Sequence, residues 1–365
     1  MNNSQFARFG LAGRPEQFSA KKIAIAQAPA NQALSEPEGT RAFPMRLNRI
    51  LLAVAAAAWL TTGAHAQQTT LRVGHFPNIT HAQALVASQL SHEGKGWFEE
   101  RLGKDVKIQW FVYNAGPSAM EALAANSIDL TYVGPNPALN LYVKAQGEEV
   151  RIIAGAATGG AALVVQGDGR LSKPADFKGR AIATPQLGNT QDVACRAWLK
   201  KQGYKITQIS GEVKVLPTAN PDQLALFSDG KLDGVWTVEP WVSRLELEAK
   251  GKIFLEQKDT ITTVLVSSVK ALKERAALVK KFAEAHAELT KWINEHPDEA
   301  KKLANAALKE HTKREMSPEL INHSWPRITF TADIKRESLE SFVAEAKTVG
   351  FLKEASDLSR LVTPP

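Results

Sequence analysis

One cysteine in 365 residues, Cys195, leaves no partner for an internal disulfide and no thiolate cluster for a metal. The chain has no G-x-S-x-G elbow, no H-E-x-x-H, no P-loop and no G-x-G-x-x-G. That removes the common hydrolase, zinc-protease and nucleotide-binding signatures. Charge of one sign is also scarce. The formal net charge is +7, but residues 1–66 hold seven of the 45 Lys and Arg and three of the 38 Asp and Glu. Beyond them 38 bases face 35 acids, a net of +3, which gives no nucleic-acid surface. No low-complexity linker divides the chain. At 365 residues, 44% hydrophobic and 23% charged, it has room for two domains with real cores.

Residues Met45–Ala66 have the three parts of an export signal: basic Arg46 and Arg49, an apolar Ile50–Leu60, and a small-x-small site at Ala64-His65-Ala66. The apolar run is about eleven residues, short for a membrane span. Cleavage after Ala66 is expected, with residues 1–44 an extension outside the native product or disordered. No cysteine follows the cleavage site to carry a lipid, so the exported product is expected free in a periplasm.

Beyond residue 67, β and α patterns alternate, as in a helix-covered parallel sheet. Strands are expected at Leu71–Phe76, Asp105–Tyr113, Ile128–Val133, Val150–Ala157, Ala161–Gln166, Arg180–Ala183 and Val213–Leu216. Lys252–Leu255 and Ile261–Ser267 read as strands returning to the first half. Helices Ala271–His296, Pro297–Lys309 and Arg336–Val349 follow, with charged outer faces, packed outside the first half. Capping boxes are expected at Thr80/Gln83 and Ser118/Glu121, and Asn136 as the cap of a helix that starts with Pro137.

The central stretch Ser118–Tyr142 runs helix, turn, strand, Gly134-Pro135, helix. Gln223–Trp241 repeats that order, with Asp129 matching Asp233 and Pro135 matching Pro240. Two similar units suggest two lobes facing each other across a cleft. Strand ends that open into capped helices place unpaired N–H groups in such a crevice. Asn78, Ser118, Asn136, Asn189, Thr190 and Gln191 add neutral donors there, and the loops contain no Lys or Arg. This favours a weakly basic oxyanion over a polyphosphate. Glu239 can receive an ammonium group or fix a loop through backbone N–H groups, and Trp241 can cover an apolar tail. His75 and His81, six apart, define no metal site, and no cofactor is expected.

The ordered set LRVGHFPN, NAGPSAMEAL, IDLTYVGPNPAL, LGNTQD and LDGVWTVEPW, with a helical C-terminal third, resembles the periplasmic substrate-binding proteins of ABC importers. The resemblance is to the sulfonate/nitrate/taurine type and covers about residues 70–361. It implies an α/β, two-lobed type 2 periplasmic-binding-protein fold: two mixed sheets flanked by helices, with a ligand cleft between the lobes. Lobe one would be 67–157 plus 260–365, and lobe two 158–259. By position, Asn78, Gly116, Ser118, Gly134 and Asn136 would bind substrate from lobe one. Asn189, Thr190, Gln191, Glu239 and Trp241 would bind it from lobe two. The implied partners are a small anionic ligand, an aliphatic sulfonate first, and an inner-membrane ABC permease. The protein is expected to be a monomer with no catalytic residue. Taurine, nitrate, a vitamin precursor or a sensor role are the alternatives. An enzyme like the thiamine-pyrimidine synthases would need a cysteine-rich iron motif that a single cysteine does not supply.

Overall fold

The computed structural model describes residues 68–209, 211–353 and 357–364. The expected extension 1–44 and signal 45–66 lie outside them. Among the described residues no helix is long and apolar enough to cross a membrane.

In chain order the elements are β1 (Thr69–His75), α1 (Ala82–His92), α2 (Trp97–Leu102), β2 (Val106–Val112), α3 (Gly116–Ala124), β3 (Leu130–Val133), α4 (Pro135–Lys144) and β4 (Val150–Gly159). Then come β5 (Ala161–Gln166), β6 (Ala181–Thr184), α5 (Thr190–Lys201), β7 (Ile206–Thr207), β8 (Val213–Pro217), α6 (Asn220–Ser228), β9 (Gly234–Val238), α7 (Trp241–Ala249) and β10 (Gly251–Gln257). The chain ends with β11 (Ile261–Ser268), α8 (Val269–Glu274), α9 (Ala276–Glu295), α10 (Pro297–Thr312), α11 (Pro318–Ser324), β12 (Ile328–Phe330) and α12 (Arg336–Thr348).

The strands form two mixed six-stranded sheets, ordered β12-β4-β11-β3-β1-β2 and β10-β5-β9-β6-β8-β7. In each, a parallel set at one side (β3-β1-β2 in the first, β9-β6-β8-β7 in the second) meets an antiparallel neighbour (β11, β5). The two sheets therefore share one plan, and the sequence repeat is its local trace. Asp129 and Asp233 make this concrete. Asp129 accepts the backbone N–H of Arg72 on β1 at 2.9 Å, and its own N–H donates to Arg72 O at 2.8 Å. Asp233 does the same with Ala181 on β6, both at 2.9 Å.

Both sheets carry apolar clusters on two faces, so central strands are buried end to end. β4 and β11 are fully buried, which explains why they read as continuous apolar or small-residue runs. Phe98 stacks on Phe282 and Trp97 Nε1 donates to Ala285 O at 3.0 Å, tying α9 to α2 outside the first sheet. The chain passes between the sheets at Gly159–Gly160 and at residues 258–260, and Gly159 N donates to Thr260 O at 2.9 Å across the two passages. Both glycines have positive φ, +75° and +67°, a turn that a Cβ would strain.

Several local expectations are corrected. Helix α4 starts at Pro135 with Gly134 as cap, so Asn136 lies inside the first turn; a proline needs no N–H partner there and takes the earlier place. Helix α3 starts at Gly116 with Ala115 before it, and Ser118 Oγ donates back to Ala115 O at 2.9 Å instead of capping. No side-chain cap forms at Thr80; Ile79–His81 is a 3₁₀ turn ahead of α1. Strand β10 pairs with β5 in the second sheet, and only β11 returns to the first. The helix read as Ala271–His296 breaks at Arg275, whose guanidinium turns to bond Thr70 O and Asp129. α12 is not confined to the outside of the first half: it buries Phe342 in the first-sheet core while Thr348 O accepts from Lys200 of α5 at 2.6 Å.

Candidate functional site

The C-terminal ends of β1, β2, β3 and β6 converge on a cavity of about 30 Å³. That is more than one water needs and enough for a compact polar head group. Asn78, Thr80 and His81 come from the loop after β1, and Asn114, Ala115 and Gly116 from the loop after β2. Gly134 and Pro137 start α4, and Asn189, Thr190 and Gln191 start α5. Asn220, Val238 and Thr262 complete the wall. Three helices of nine to twelve residues thus point their N-terminal ends at one small space. Each end carries unpaired N–H groups and about half a positive charge.

Among the described residues none that lines this cavity is Lys, Arg, Asp or Glu. The single titratable group is His81, fully buried, whose Nδ1 accepts the Phe76 N–H at 3.4 Å. Burial, then the neighbouring His75, holds its pKa well below the usual imidazole range. The ring is neutral and its proton sits on Nε2, a donor without a formal charge. Thr190 Oγ1 is buried with no hydrogen-bond partner, which is costly unless something in the cavity pairs with it. Asn78 Oδ1 accepts from Trp241 Nε1 at 3.1 Å, which leaves the Asn78 amide hydrogens to donate elsewhere.

The second-sheet part of the wall is held by a buried carboxylate behind it. Asp192 accepts from Thr184 Oγ1 (2.8 Å), Gly188 N (2.9 Å) and Arg196 Nε (2.9 Å), while its own N–H bonds the Asn189 side chain at 2.8 Å. Asn189 Nδ2 in turn donates to Gln191 Oε1 at 3.2 Å, leaving the Gln191 amide nitrogen free to donate.

A second cavity, of about 270 Å³, shares Asn78, Asn114 and Asn220 with the first. Its remaining walls are Pro77, Val112, Pro221, Leu224, Trp241, Arg244, His311, Thr312 and Arg314. A small neutral chamber therefore adjoins a larger one with apolar sides.

Of the ten expected site residues, Asn78, Gly116, Gly134, Asn189, Thr190 and Gln191 line the inner cavity, and Trp241 lines the outer one. Three line neither. Ser118 spends its hydroxyl on Ala115 O. Asn136 is fully buried, with neither side-chain amide atom paired. Glu239 is fully buried and accepts from Ser243 N (3.0 Å) and Ser243 Oγ (2.9 Å), with Arg327 Nε 3.7 Å away. Burial raises its pKa to about 7 against those bonds. The contacts of Glu239 are those of a scaffold group that holds the first turn of α7, not of a receptor for an ammonium group.

Asn114, Asn220, Arg244 and Arg314 line the cavities without having been expected there. Asn220 follows β8 as Asn114 follows β2 in the matching sheet position, so a longer view of the repeat leads to it. Arg244 sits three residues after Trp241, one turn along the same helix face. Arg314 arrives from beyond α10 and has no local signal.

Cys195 is buried and its thiol is pushed up, mainly by burial and then by Asp192, so it has no nucleophile character. Among the described residues no three His, Cys, Asp or Glu side chains gather as a metal site would require.

Comparison with known proteins follows the same lines. Residues 64–308 match the model of the NMT1-like family. A Bacillus subtilis (strain 168) protein, provisionally named an aliphatic sulfonates-binding protein, is 25% identical over 262 residues, 70% of this chain and 74% of its own. The taurine-binding periplasmic protein of Escherichia coli K12 is 29% identical over 143 residues, 39% of this chain and 42% of its own. Among solved structures, the alkanesulfonate-binding protein of Xanthomonas axonopodis pv. citri bound to MOPS superposes with a TM-score of 0.65 at 21% identity. That match covers 82% of this chain and all of the other. This likeness establishes the periplasmic-binding-protein fold.

Proposed function

The chain belongs to the NMT1-like family, and from that premise we propose that it is the periplasmic solute-binding component of an ABC importer. In this reading it captures a small oxyanion, an aliphatic sulfonate first, between two lobes and delivers it to an inner-membrane permease. The observation that carries the reading is the inner cavity: uncharged side chains, three helix N-termini and an unpaired buried hydroxyl at Thr190. Neutral donors and helix ends balance one diffuse negative charge without the excess that lysines or arginines would bring. The adjoining outer cavity, walled by Pro77, Val112, Leu224 and Trp241, supports an organic tail on that head group over bare nitrate. Taurine is disfavoured, because among the described residues no carboxylate lines either cavity to receive its ammonium group.

The lobes are taken as 67–157 plus 260–365 and 158–259, with residues 45–66 as the removed export signal. Ligand bridging both lobes selects the closed arrangement, and the closed form is the one the permease receives. No catalysis is proposed: burial keeps His81 neutral at the head site, and the charged Arg244 and Arg314 line the outer cavity.

The test is calorimetry and thermal shift of the purified protein against ethanesulfonate, 1-propanesulfonate, taurine, nitrate and sulfate. A ligand that binds only the folded state stabilises it by about 2.7 kcal/mol at a hundredfold excess over its Kd. Saturable binding of an alkanesulfonate, with weaker binding of taurine and sulfate, is expected. Silence across all oxyanions with a shift from a neutral heterocycle would replace this reading by a vitamin-precursor carrier.

A further inference from the structure

The outer cavity holds more positive charge than an alkyl tail needs. Arg244 is 8% exposed, and its buried Nε has no hydrogen-bond partner among the described residues. Its Nε lies 3.5 Å from Glu248 Oε1, a carboxylate that is itself 40% exposed. The guanidinium sits over the Trp241 ring at 5.0 Å, so its position is fixed by packing. Arg314 lines the same cavity, lies near enough for its charge to oppose that of Arg244, and has no ion pair among the described residues. His311 adds a buried Nε2 without a partner. Among the described residues no acidic side chain lines the cavity. A nearly buried guanidinium whose anionic neighbour is the part-exposed Glu248, in one cavity with a second guanidinium, favours a further anion in that cavity.

We propose that the outer cavity binds a second anionic group, a carboxylate at the far end of the ligand. The ligand class is then an organic sulfonate that carries a carboxylate across a short aliphatic linker. This rests on the reading of the inner cavity as the oxyanion head site. The planar guanidinium fork of Arg244 suits a carboxylate, and Arg314, on the exposed side, supplies the second charge as the ligand enters. Pro77, Val112 and Leu224 would flank the linker, while the Trp241 indole holds Arg244 from below and Asn78 from the side.

The experiment is calorimetry on the full chain with 3-sulfopropanoate and 1-propanesulfonate, which differ by the carboxylate, repeated on Arg244→Gln and Arg314→Gln. The wild type is expected to favour 3-sulfopropanoate by about tenfold or more, the worth of one charge-assisted hydrogen bond. Each variant should bring that ratio toward one, and rising salt should weaken 3-sulfopropanoate more than 1-propanesulfonate. Arg314 is exposed, so its variant tests the proposal even if the Arg244 variant does not fold. Equal affinity for the two ligands in the wild type, or a ratio unchanged in Arg314→Gln and in any folded Arg244→Gln, overturns the proposal and leaves the sulfonate reading standing. Binding of neither ligand overturns both.

Discussion

Glu239 shows how a single residue can look like a ligand contact and serve the scaffold. Its carboxylate is walled in by Ser243, Ser324 and Arg327, and burial lifts its pKa from 4.5 to about 7. Between those two pH values the folded protein keeps a proton that the unfolded chain releases. The stabilisation is therefore complete below about pH 4.5 and is lost as pH rises through about 7. From pH 5 to 7.5 this group should cost the wild type on the order of 2 kcal/mol of stability. Glu239→Gln keeps the neutral form at every pH and should flatten that slope. Urea unfolding at both pH values measures it. Arg327, Glu246 and His323 surround the site in both proteins, so the difference isolates Glu239. Identical slopes would mean that Glu239 is charged in the fold throughout. At this scale the sequence was informative about residue type more than direction. Asn189 and Thr190 reach the cavity because a cap residue must face the end of its helix. Ser118 and Asn136 do not, since Pro117 and Pro135 move the helix starts ahead of them.

Elements were legible where one pattern is written twice. The Asp129 and Asp233 correspondence could be read from spacing, and each carboxylate locks its strand to the N–H of the parallel neighbour. Their surroundings differ in a way spacing could not disclose. Asp129 has its side chain 4% exposed and gathers Arg72 (2.8 Å) and Arg275 (2.8 Å), the latter from 146 residues away. Asp233 is 22% exposed and bonds Arg180 at 3.3 Å. Asp129→Asn leaves two guanidiniums with a neutral amide and should cost about 2–4 kcal/mol, whereas Asp233→Asn should cost about half as much. Chemical denaturation of the two variants against wild type decides it; equal losses would mean that the Arg275 contact adds nothing. Strand β10 was misplaced because an apolar alternating run specifies a strand but not its sheet. The short β7 and β12 and the helix α11 are held by tertiary packing and carry too little periodicity to be found alone.

For the whole molecule, the question is how the two sheets come together over the cavity. Polar contacts join them near the cavity: Trp241 to Asn78, Ile79 N to Glu239 O at 3.2 Å, and Asn140 Nδ2 to Gly188 O at 3.4 Å. Farther out, Arg327 reaches Glu246 at 2.8 Å, and Val193 packs into the first-sheet core. At the centre, Gly134 at the cap of α4 faces Thr190 at the start of α5, and a Cβ on Gly134 would overlap the Thr190 hydroxyl. Gly134 has φ −67°, which alanine adopts freely, so the glycine is required by the approach of the opposite helix and not by its own backbone. Gly134→Ala should accordingly leave each half of the fold intact and hold the halves apart. If the binding-competent closed state falls to a tenth of its population, apparent affinity falls about tenfold from the population term alone. We expect Gly134→Ala to weaken every oxyanion by at least that factor, while its ligand-free unfolding free energy stays within about 1 kcal/mol of wild type. In small-angle scattering the wild type should contract on adding the tightest alkanesulfonate and the variant should contract less. Wild-type affinity in Gly134→Ala would mean that Thr190 turns aside at little cost, and closure would then depend on the Trp241–Asn78 bond instead.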